Sequence, residues 1–374
     1  MVASYLDALA PVLSQVVEPA AVQLDREGAF PRAAVDALGR AGLLGLVSAR
    51  EVGGGGEGVH AATEVVERLA GACGSTAMVV CMHYAATAVI EAHGPRAVRE
   101  AIAAGRHLST LAFSESGSRS HFWAPVSTAA EGGDGVRLDA AKSWVTSAGE
   151  ADSYVWSSRP LAGDGVSTIW LVPADASGLK VAGPFDGLGL RGNASSPVSA
   201  HDVAVPAAAM LGEDGKGDQI MLGIVLGWFS AMSAAMAVGL METAIARTVA
   251  HVTATRLEHL DTRLADLATI RAYLARMRIA TDQARALLAD TLAAMESGRQ
   301  DATLRVLEVK AAAAEAATAV TDLAMRVCGG AAFRKEAGVE RQFRDARAAT
   351  VMAPTTDALY DFVGRALCGI DLFA

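Results

Sequence analysis

The spacing of apolar positions changes twice along the chain. From residue 1 to 107 apolar residues recur every three or four positions, as in helices that bury one face. From 108 to 215 short apolar or alternating runs are separated by glycine-rich segments, which is typical of strands. From 216 to 374 long alanine-rich stretches resume the helical spacing. The pattern predicts a mostly α protein with an N-terminal helical domain, a middle β-domain and a C-terminal helical domain.

Glycine, proline and polar residues bound the individual elements. The predicted helices are Ala20–Arg26, Arg32–Ala41, Val59–Ala72, Ser75–Ala92, Gln219–Thr255, Leu264–Ser297, Asp301–Val327 and Thr356–Cys368. The predicted strands are Thr110–Phe113, Val126–Ala130, Val136–Leu138, Tyr154–Ser158 and Thr168–Val172. The last four helices are expected to form a four-helix bundle.

A small-residue loop and a hairpin follow the first strand. Gly132-Gly133-Asp134-Gly135 joins the two arms of the hairpin. Trp144 and Thr146 are two residues apart on the second arm, so a regular strand would point both to one face. An indole beside a hydroxyl suits an aromatic ligand that needs stacking and a hydrogen bond. The alternative is an ordinary hairpin with a core tryptophan.

Composition narrows the class of protein. The 374 residues are 52% hydrophobic with a mean hydropathy of +0.30, and much of the apolar share is alanine. Met221–Leu240 comes closest to a membrane span but fits a buried helix better, so no membrane is expected. A net charge of −9 gives no support to nucleic-acid binding. Four scattered cysteines without zinc spacing and no secretory signal predict no metal and a cytoplasmic location.

Several motifs occur in the order of one known family. Ser114-Glu115-Ser116-Gly117 follows a strand, Lys142-Ser143-Trp144-Val145-Thr146 precedes Ala151-Asp152, and Gly189-Leu190-Arg191 precedes Val205-Pro206 and Leu211-Gly212. Together with the helix–β–helix order, these motifs resemble the acyl-CoA dehydrogenase superfamily over the whole chain. The resemblance implies a three-part fold whose β-domain is a barrel or sandwich, FAD between that domain and the C-terminal bundle, and a homodimer or homotetramer.

The resemblance also assigns residues to the cofactor. The expected FAD-binding residues are Phe113, Ser114, Ser120, Trp144, Thr146, Arg256, Arg326, Gly329, Gly330, Thr355 and Asp357. By motif position Phe113 and Ser114 face the pyrimidine edge, whereas Arg256 reaches the pyrophosphate bound by the neighbouring subunit. Two alternatives remain open at this stage. Arg256 could be a solvated arginine at a helix end, and Gly329 could be a helix C-cap.

The main departure from the family lies near the C-terminus. Arg344-Asp345-Ala346 matches a family motif, and eight residues beyond Asp345 the family places the glutamate that removes the substrate's α-proton. Ala353 occupies that position here. The candidates for a substitute base are Glu115, His83, His121, Asp357 and Asp361. A structural role for Glu115 and a hydrogen-bonded core histidine at His83 are the alternatives, so no catalytic residue is assigned.

Two segments resemble a particular branch of the superfamily. Gly189–Ser195 and Met352–Thr355 are similar to carrier-protein-linked dehydrogenases that help build hydroxymalonyl or methoxymalonyl extender units for polyketides. The implied substrate is a small hydroxyacyl thioester on an acyl carrier protein or CoA, with an unspecified electron acceptor. Two alternatives are a flavin-dependent monooxygenase of the same fold and a non-catalytic flavin-binding or scaffold protein.

Overall fold

The N-terminal part of the computed structural model is helical. The structure describes residues 4–118, 121–133 and 135–372. Six α-helices precede the first strand: α1 (Tyr5–Val12), α2 (Glu18–Glu27), α3 (Arg32–Arg40), α4 (Val59–Ala72), α5 (Gly74–His93) and α6 (Arg96–Ala103). Ser4 begins α1 because its hydroxyl accepts from Leu6 N while Asp7 accepts from Ser4 N. A π-helical turn joins α1 to α2, which ends at Gly28 in the left-handed conformation.

Two four-stranded sheets form the middle part. The strands are β1 (Ser109–Ala112), β2 (Thr128–Gly132), β3 (Gly135–Val145), β4 (Ser153–Ser158), β5 (Thr168–Pro173), β6 (Leu179–Val181), β7 (Ser196–Pro206) and β8 (Met210–Leu211). One sheet has the order β1-β4-β5-β8 and the other β2-β3-β7-β6, and only the β1–β4 pair is parallel among these described strands. Buried side chains such as Trp156 and Trp170 from one sheet pack with Leu138 and Val203 from the other.

The C-terminal part returns to helices. They are α7 (Gly217–Ile220), α8 (Leu226–Ala254), α9 (Ala268–Ser297), α10 (Ala302–Cys328), α11 (Val339–Val351) and α12 (Thr356–Cys368). A π-helical turn, Met221–Val225, makes α7 and α8 continuous. After α8 a short ribbon pairs β9 (Arg256–Leu257) with β10 (Thr262–Arg263). Helix α10 contacts α8, α9, α11 and α12, so it lies at the centre of the bundle.

Two helices pass the length and hydropathy criteria for a membrane span. They are Gly74–His93 and Gly217–Ala254, and 78% and 72% of their most apolar windows are buried inside the protein. These helices, with α4, form the apolar core that joins the N-terminal and C-terminal parts. Their hydrophobic surface is thus used in packing.

The structure confirms the order helices–sheets–helices and the mostly α class. Gly132 pairs with Gly135, which confirms the predicted hairpin, although its first strand begins at Thr128. The four-helix prediction was incomplete, because α11 (Val339–Val351) adds a fifth substantial helix to this part. Its buried face includes Arg341, Gln342 and Asp345, so the helix lacks a continuous apolar stripe that the sequence could show. The prediction that Trp144 continues a regular strand was wrong, because the pairing of β3 with β7 is irregular between Lys142 and Val145.

Candidate flavin and substrate site

Two adjoining cavities lie between the sheets and the C-terminal helices. The larger has a volume of about 860 Å³ and is bounded by the end of β1, the end of β3, the loop at residues 185–195, and α11 with the segment that follows it. The smaller has a volume of about 60 Å³ and reaches inward to α5 and to the π-helical turn before α8. Met82, Trp144, Phe229 and Ala353 are among the residues that line both, so the two cavities form one continuous site.

Trp144 leaves the regular strand. Its φ is +55°, and the pairing of β3 with β7 is irregular between Lys142 and Val145. A bulge of this kind turns a side chain out of the pleat, and the Trp144 side chain is 68% exposed. Thr146 lies beyond the last strand residue, is buried and shares a hydrogen bond of 3.1 Å with Ser195 Oγ. Both residues line the larger cavity, but the bulge brings them there rather than strand alternation.

Glu115, which lines the larger cavity, forms a buried ion pair with Lys142. The Glu115 carboxylate also accepts from Ser127 Oγ and from the backbone N–H groups of Val126 and Ser127, at 2.6 and 3.1 Å. Lys142 Nζ donates to Ser157 O at 2.7 Å as well. Burial opposes ionisation, but the lysine and these donors keep the pKa of Glu115 below its ordinary value. Both carboxylate oxygens of Glu115 are thus engaged, which confirms its structural role.

The structure brings together five of the predicted cofactor residues. Ser114, Trp144, Thr146 and Thr355 line the larger cavity, and Phe113 lines the smaller one together with Ser114 and Trp144. Thr355 lies at the N-cap of α12, where its hydroxyl accepts from Ala358 N. Hydroxyl groups and a flat indole therefore meet on one cavity, as a flat heteroaromatic ring requires.

Five other predicted residues lie outside both cavities in the single chain. Arg256 forms an ion pair with Asp261, and Asp357 is exposed in the first turn of α12. The Arg326 guanidinium lies 5.1 Å from the centroid of the Tyr273 ring. Gly329 ends α10 with a φ of +55°, the geometry of the C-cap alternative, and Gly330 follows it at the surface. Ser120 lies outside the described residues.

Comparison with known proteins identifies the fold and its family. Three family models match: the N-terminal domain of acyl-CoA dehydrogenase at residues 4–105, the middle domain at 110–203 and the C-terminal domain at 215–368. The chain belongs to the acyl-CoA dehydrogenase family. It is 30% identical to the mitochondrial short-chain specific acyl-CoA dehydrogenase of Bos taurus, over 91% of this chain and 83% of that protein.

Solved structures of low sequence identity share the fold of this acyl-CoA dehydrogenase family member. Butyryl-CoA dehydrogenase from Megasphaera elsdenii superimposes with a TM-score of 0.91 and 24% identity, covering 97% of each chain. The prolyl acyl carrier protein oxidase AnaB superimposes with a TM-score of 0.88 and 20% identity, covering 97% of this chain and 98% of that chain. Family membership confirms the predicted flavoenzyme class and the prediction of FAD.

The larger cavity fits the flavin of an acyl-CoA dehydrogenase. An isoalloxazine ring needs a flat apolar wall and polar groups at one edge, and Trp144 with the hydroxyls of Ser114 and Thr146 supplies these features. These residues and Thr355 would hold the ring, and FAD supplies a hydride acceptor. Arg347 lies at the same cavity with an exposed side chain, so it adds a positive charge that no motif identified.

The family's glutamate position carries a methyl group that faces both cavities. Ala353 lines each of them. Among the described residues lining the two cavities, the one carboxylate belongs to Glu115, which the Lys142 network saturates. Asp357 and Asp361 are exposed, with Asp361 paired to Arg365, and His121 packs its ring against Trp123.

His83 is a hydrogen-bonded core histidine. It is fully buried on α5, its Nδ1 accepts from Ser109 N at 3.2 Å, and its Nε2 donates to Leu44 O at 3.1 Å. This arrangement requires the neutral ring. Burial lowers the pKa of His83 to about 4. Within the part of the chain that the structure describes, none of the five candidate bases thus presents an unengaged acceptor atom to either cavity.

Sequence reasoning missed one residue of the pocket wall and one residue behind it. Phe229 lines both cavities, whereas the neighbouring Trp228 packs against the helical core. Lys310 lies on the buried face of α10 and bonds the segment that carries Ala353. A signal for Lys310 was present: it is a charged residue on an apolar stripe with Leu307, Ala314 and Ala317.

Proposed function

We propose that the chain is an FAD-dependent dehydrogenase that oxidises a short hydroxyacyl thioester carried by an acyl carrier protein. The observation that carries this proposal is the methyl group of Ala353 at the position where desaturation requires a carboxylate. A reaction at a carbon that already bears oxygen needs no α-proton base, because the oxygen lone pairs support that carbon as hydride leaves.

The reaction is balanced without a protein carboxylate. The C–H bond of the hydroxyl-bearing carbon breaks and its electron pair leaves with the hydrogen as hydride, for which oxidised FAD, when bound, would supply the acceptor. The O–H bond breaks, its proton goes to solvent, and its electron pair forms the new C=O bond. The residues of this chain position the acyl group: Phe113, Phe122 and Phe229 enclose it, and the hydroxyls of Ser114 and Ser143 are the polar groups of the small cavity wall.

The apolar lining of the inner cavity supports a short acyl group. Met82, Leu111, Val225 and Leu226 line it together with the three phenylalanines, so a longer chain meets large apolar side chains. Use of a carrier protein is supported by the similar fold of a prolyl acyl carrier protein oxidase. The resemblance of Gly189–Ser195 and Met352–Thr355 to the polyketide branch of the superfamily supports a proposed role in making extender units.

The test is an anaerobic mixing experiment. FAD-loaded protein is mixed with a carrier-bound short hydroxyacyl thioester, and the absorbance of oxidised flavin is followed. Bleaching is expected with this substrate and not with the saturated, unoxygenated thioester of equal length. Faster bleaching by the saturated thioester would overturn the proposal. An intact flavin spectrum with both would instead favour the monooxygenase, which reduced flavin and O₂ would then reveal.

A matched variant sharpens this test. Ala353→Glu returns a carboxylate to the cavity wall, and a positioned general base contributes about 10²–10⁴-fold to a rate. The variant should gain bleaching with the saturated thioester. Ala353→Gln has nearly the same shape without the base, so it should not gain that activity.

A further inference from the structure

Lys310 lies directly behind the wall that carries Ala353. Its side chain is 1% exposed, within α10. Nζ donates to Pro354 O at 2.8 Å, Met352 O at 3.0 Å and Ala349 O at 3.3 Å. Three N–H donors thus match three carbonyl acceptors on one segment, which is the hydrogen-bonding pattern of an ammonium group.

This buried lysine has no counter-charge. Among the described residues Lys310 forms no ion pair, and the ionisable group that interacts with it is Cys81 on α5. Burial raises the pKa of the Cys81 thiol to about 12, so that group is neutral. Burial also lowers the pKa of Lys310 to about 7. The three carbonyls favour the charged form, because each accepts one of its protons.

We propose that Lys310 is a positioning residue that fixes the wall at Met352–Pro354 and directs its positive charge to an oxygen of the bound acyl group. Nζ lies 5.8 Å from the centroid of the Phe229 ring, and Phe229, Ala353 and Pro354 all line the small cavity. A buried positive charge interacts over several ångströms with a charge that develops in an adjoining cavity. The inference rests on the proposed function, since it assumes that the small cavity binds the acyl group.

The charge has a defined chemical consequence. A substrate hydroxyl beside a positive charge loses its proton more readily, because the resulting alkoxide is stabilised. The alkoxide then forms the C=O bond as hydride leaves. Lys310 would thereby promote proton loss without accepting the proton itself, since all three of its donors are engaged by backbone carbonyls.

The test compares two ligands on the FAD-loaded protein below pH 7, where Lys310 is charged. Acetoacetyl-CoA can bind as an anionic enolate, which gives a long-wavelength charge-transfer band with flavin, whereas butyryl-CoA binds as a neutral thioester. Lys310→Met should weaken acetoacetyl-CoA binding about ten-fold or more and remove the band, while butyryl-CoA binding changes less than about two-fold. Lys310→Arg should retain the band. Lys180→Met, at an exposed strand residue, controls for the loss of one positive charge.

Three outcomes would overturn the inference: equal weakening of both ligands, unchanged binding of both, or a wild-type protein without the band. If the Lys310→Met protein does not bind FAD, the binding of both ligands is measured on Lys310→Gln instead, because that variant also removes the charge. The measurement uses binding alone. Binding can be measured even if the hydroxyacyl thioester is not oxidised. Failure of the proposed function is therefore distinguishable from failure of the inference about Lys310.

Discussion

The two buried lysines of this protein have opposite surroundings. Lys142 in the β-sheet region is compensated by the Glu115 carboxylate, and both side chains are almost fully buried. Among the described residues, the hydrogen-bond acceptors of Lys310 in the helical region are three backbone carbonyl oxygens, close to the wall of the small cavity. A compensated charge serves the fold, because its field is cancelled locally. The field of an uncompensated charge next to a cavity still acts on a ligand bound there. The presence or absence of a counter-charge therefore distinguishes a buried lysine that stabilises the fold from one that acts on a ligand.

The largest stability effect is expected from breaking the compensated pair. Glu115→Gln leaves Lys142 buried without its counter-charge, so the free energy of unfolding should fall by about 3–5 kcal/mol in urea titrations. The control is Glu213→Gln, which removes an exposed partner of Lys216 and should change stability by less than about 1 kcal/mol. Equal losses of unfolding free energy in the two variants would show that the buried Glu115–Lys142 pair stabilises the fold no more than an exposed pair does.

The pH dependence of stability tests the neutral His83. Its pKa is about 4 in the folded protein and 6.5 in the unfolded chain. Since the unfolded chain binds the proton first, stability is lost as the pH falls from 6.5 towards 4, by about 3 kcal/mol for this one group. His83→Gln should flatten that part of the stability curve. The unfolding midpoint measured across this pH range checks the prediction, and an unchanged slope would contradict it.

A smaller effect is expected from removing the uncompensated lysine. Lys310→Met leaves three carbonyls without a donor, but it also relieves the protein of an unpaired buried charge. The two changes oppose each other, and we expect a loss of about 1–2 kcal/mol. The comparison breaks down if Lys310→Met destabilises the protein as much as Glu115→Gln in the same urea titration.

The smallest stability change is expected at Trp144. Its side chain is largely exposed, so Trp144→Ala should alter the free energy of unfolding of the FAD-free protein by less than about 0.5 kcal/mol. The dissociation constant of FAD should nevertheless rise about ten-fold, because stacking is lost. Phe333→Ala removes another exposed ring that lines neither cavity and should leave FAD affinity unchanged. Flavin fluorescence titration distinguishes the two variants.

The long helices and the hairpin could be predicted from the sequence, because the local spacing of apolar and glycine residues determines them. Val59–Ala72 and Thr356–Cys368 have the predicted bounds. The helix Val339–Val351 was not predicted, because its buried face includes Arg341, Gln342 and Asp345. Burial there depends on tertiary partners rather than on residue type.

The candidate site was only partly accessible from the sequence. Motifs identified Ser114, Trp144, Thr146 and Thr355, because each is close in sequence to a recognisable pattern. The bulge at Trp144 depends on pairing with β7, about fifty residues away, which local spacing does not show. Lys310 lies far in sequence from the segment it bonds, so its role is visible only once α10 is packed against that segment.

The π-helical turn at Met221–Val225 offers an evolutionary route to new substrates. A π turn is an α-helix with one additional residue. Deleting one residue there would let the turn relax to α geometry, while the helix on either side would keep its phase, because the π turn absorbs the extra residue locally. The change would fall on Val225, which lies in the turn and lines the inner cavity, while the rest of the bundle kept its packing. A change of length, rather than of residue type, could thus reshape the pocket in a single genetic step.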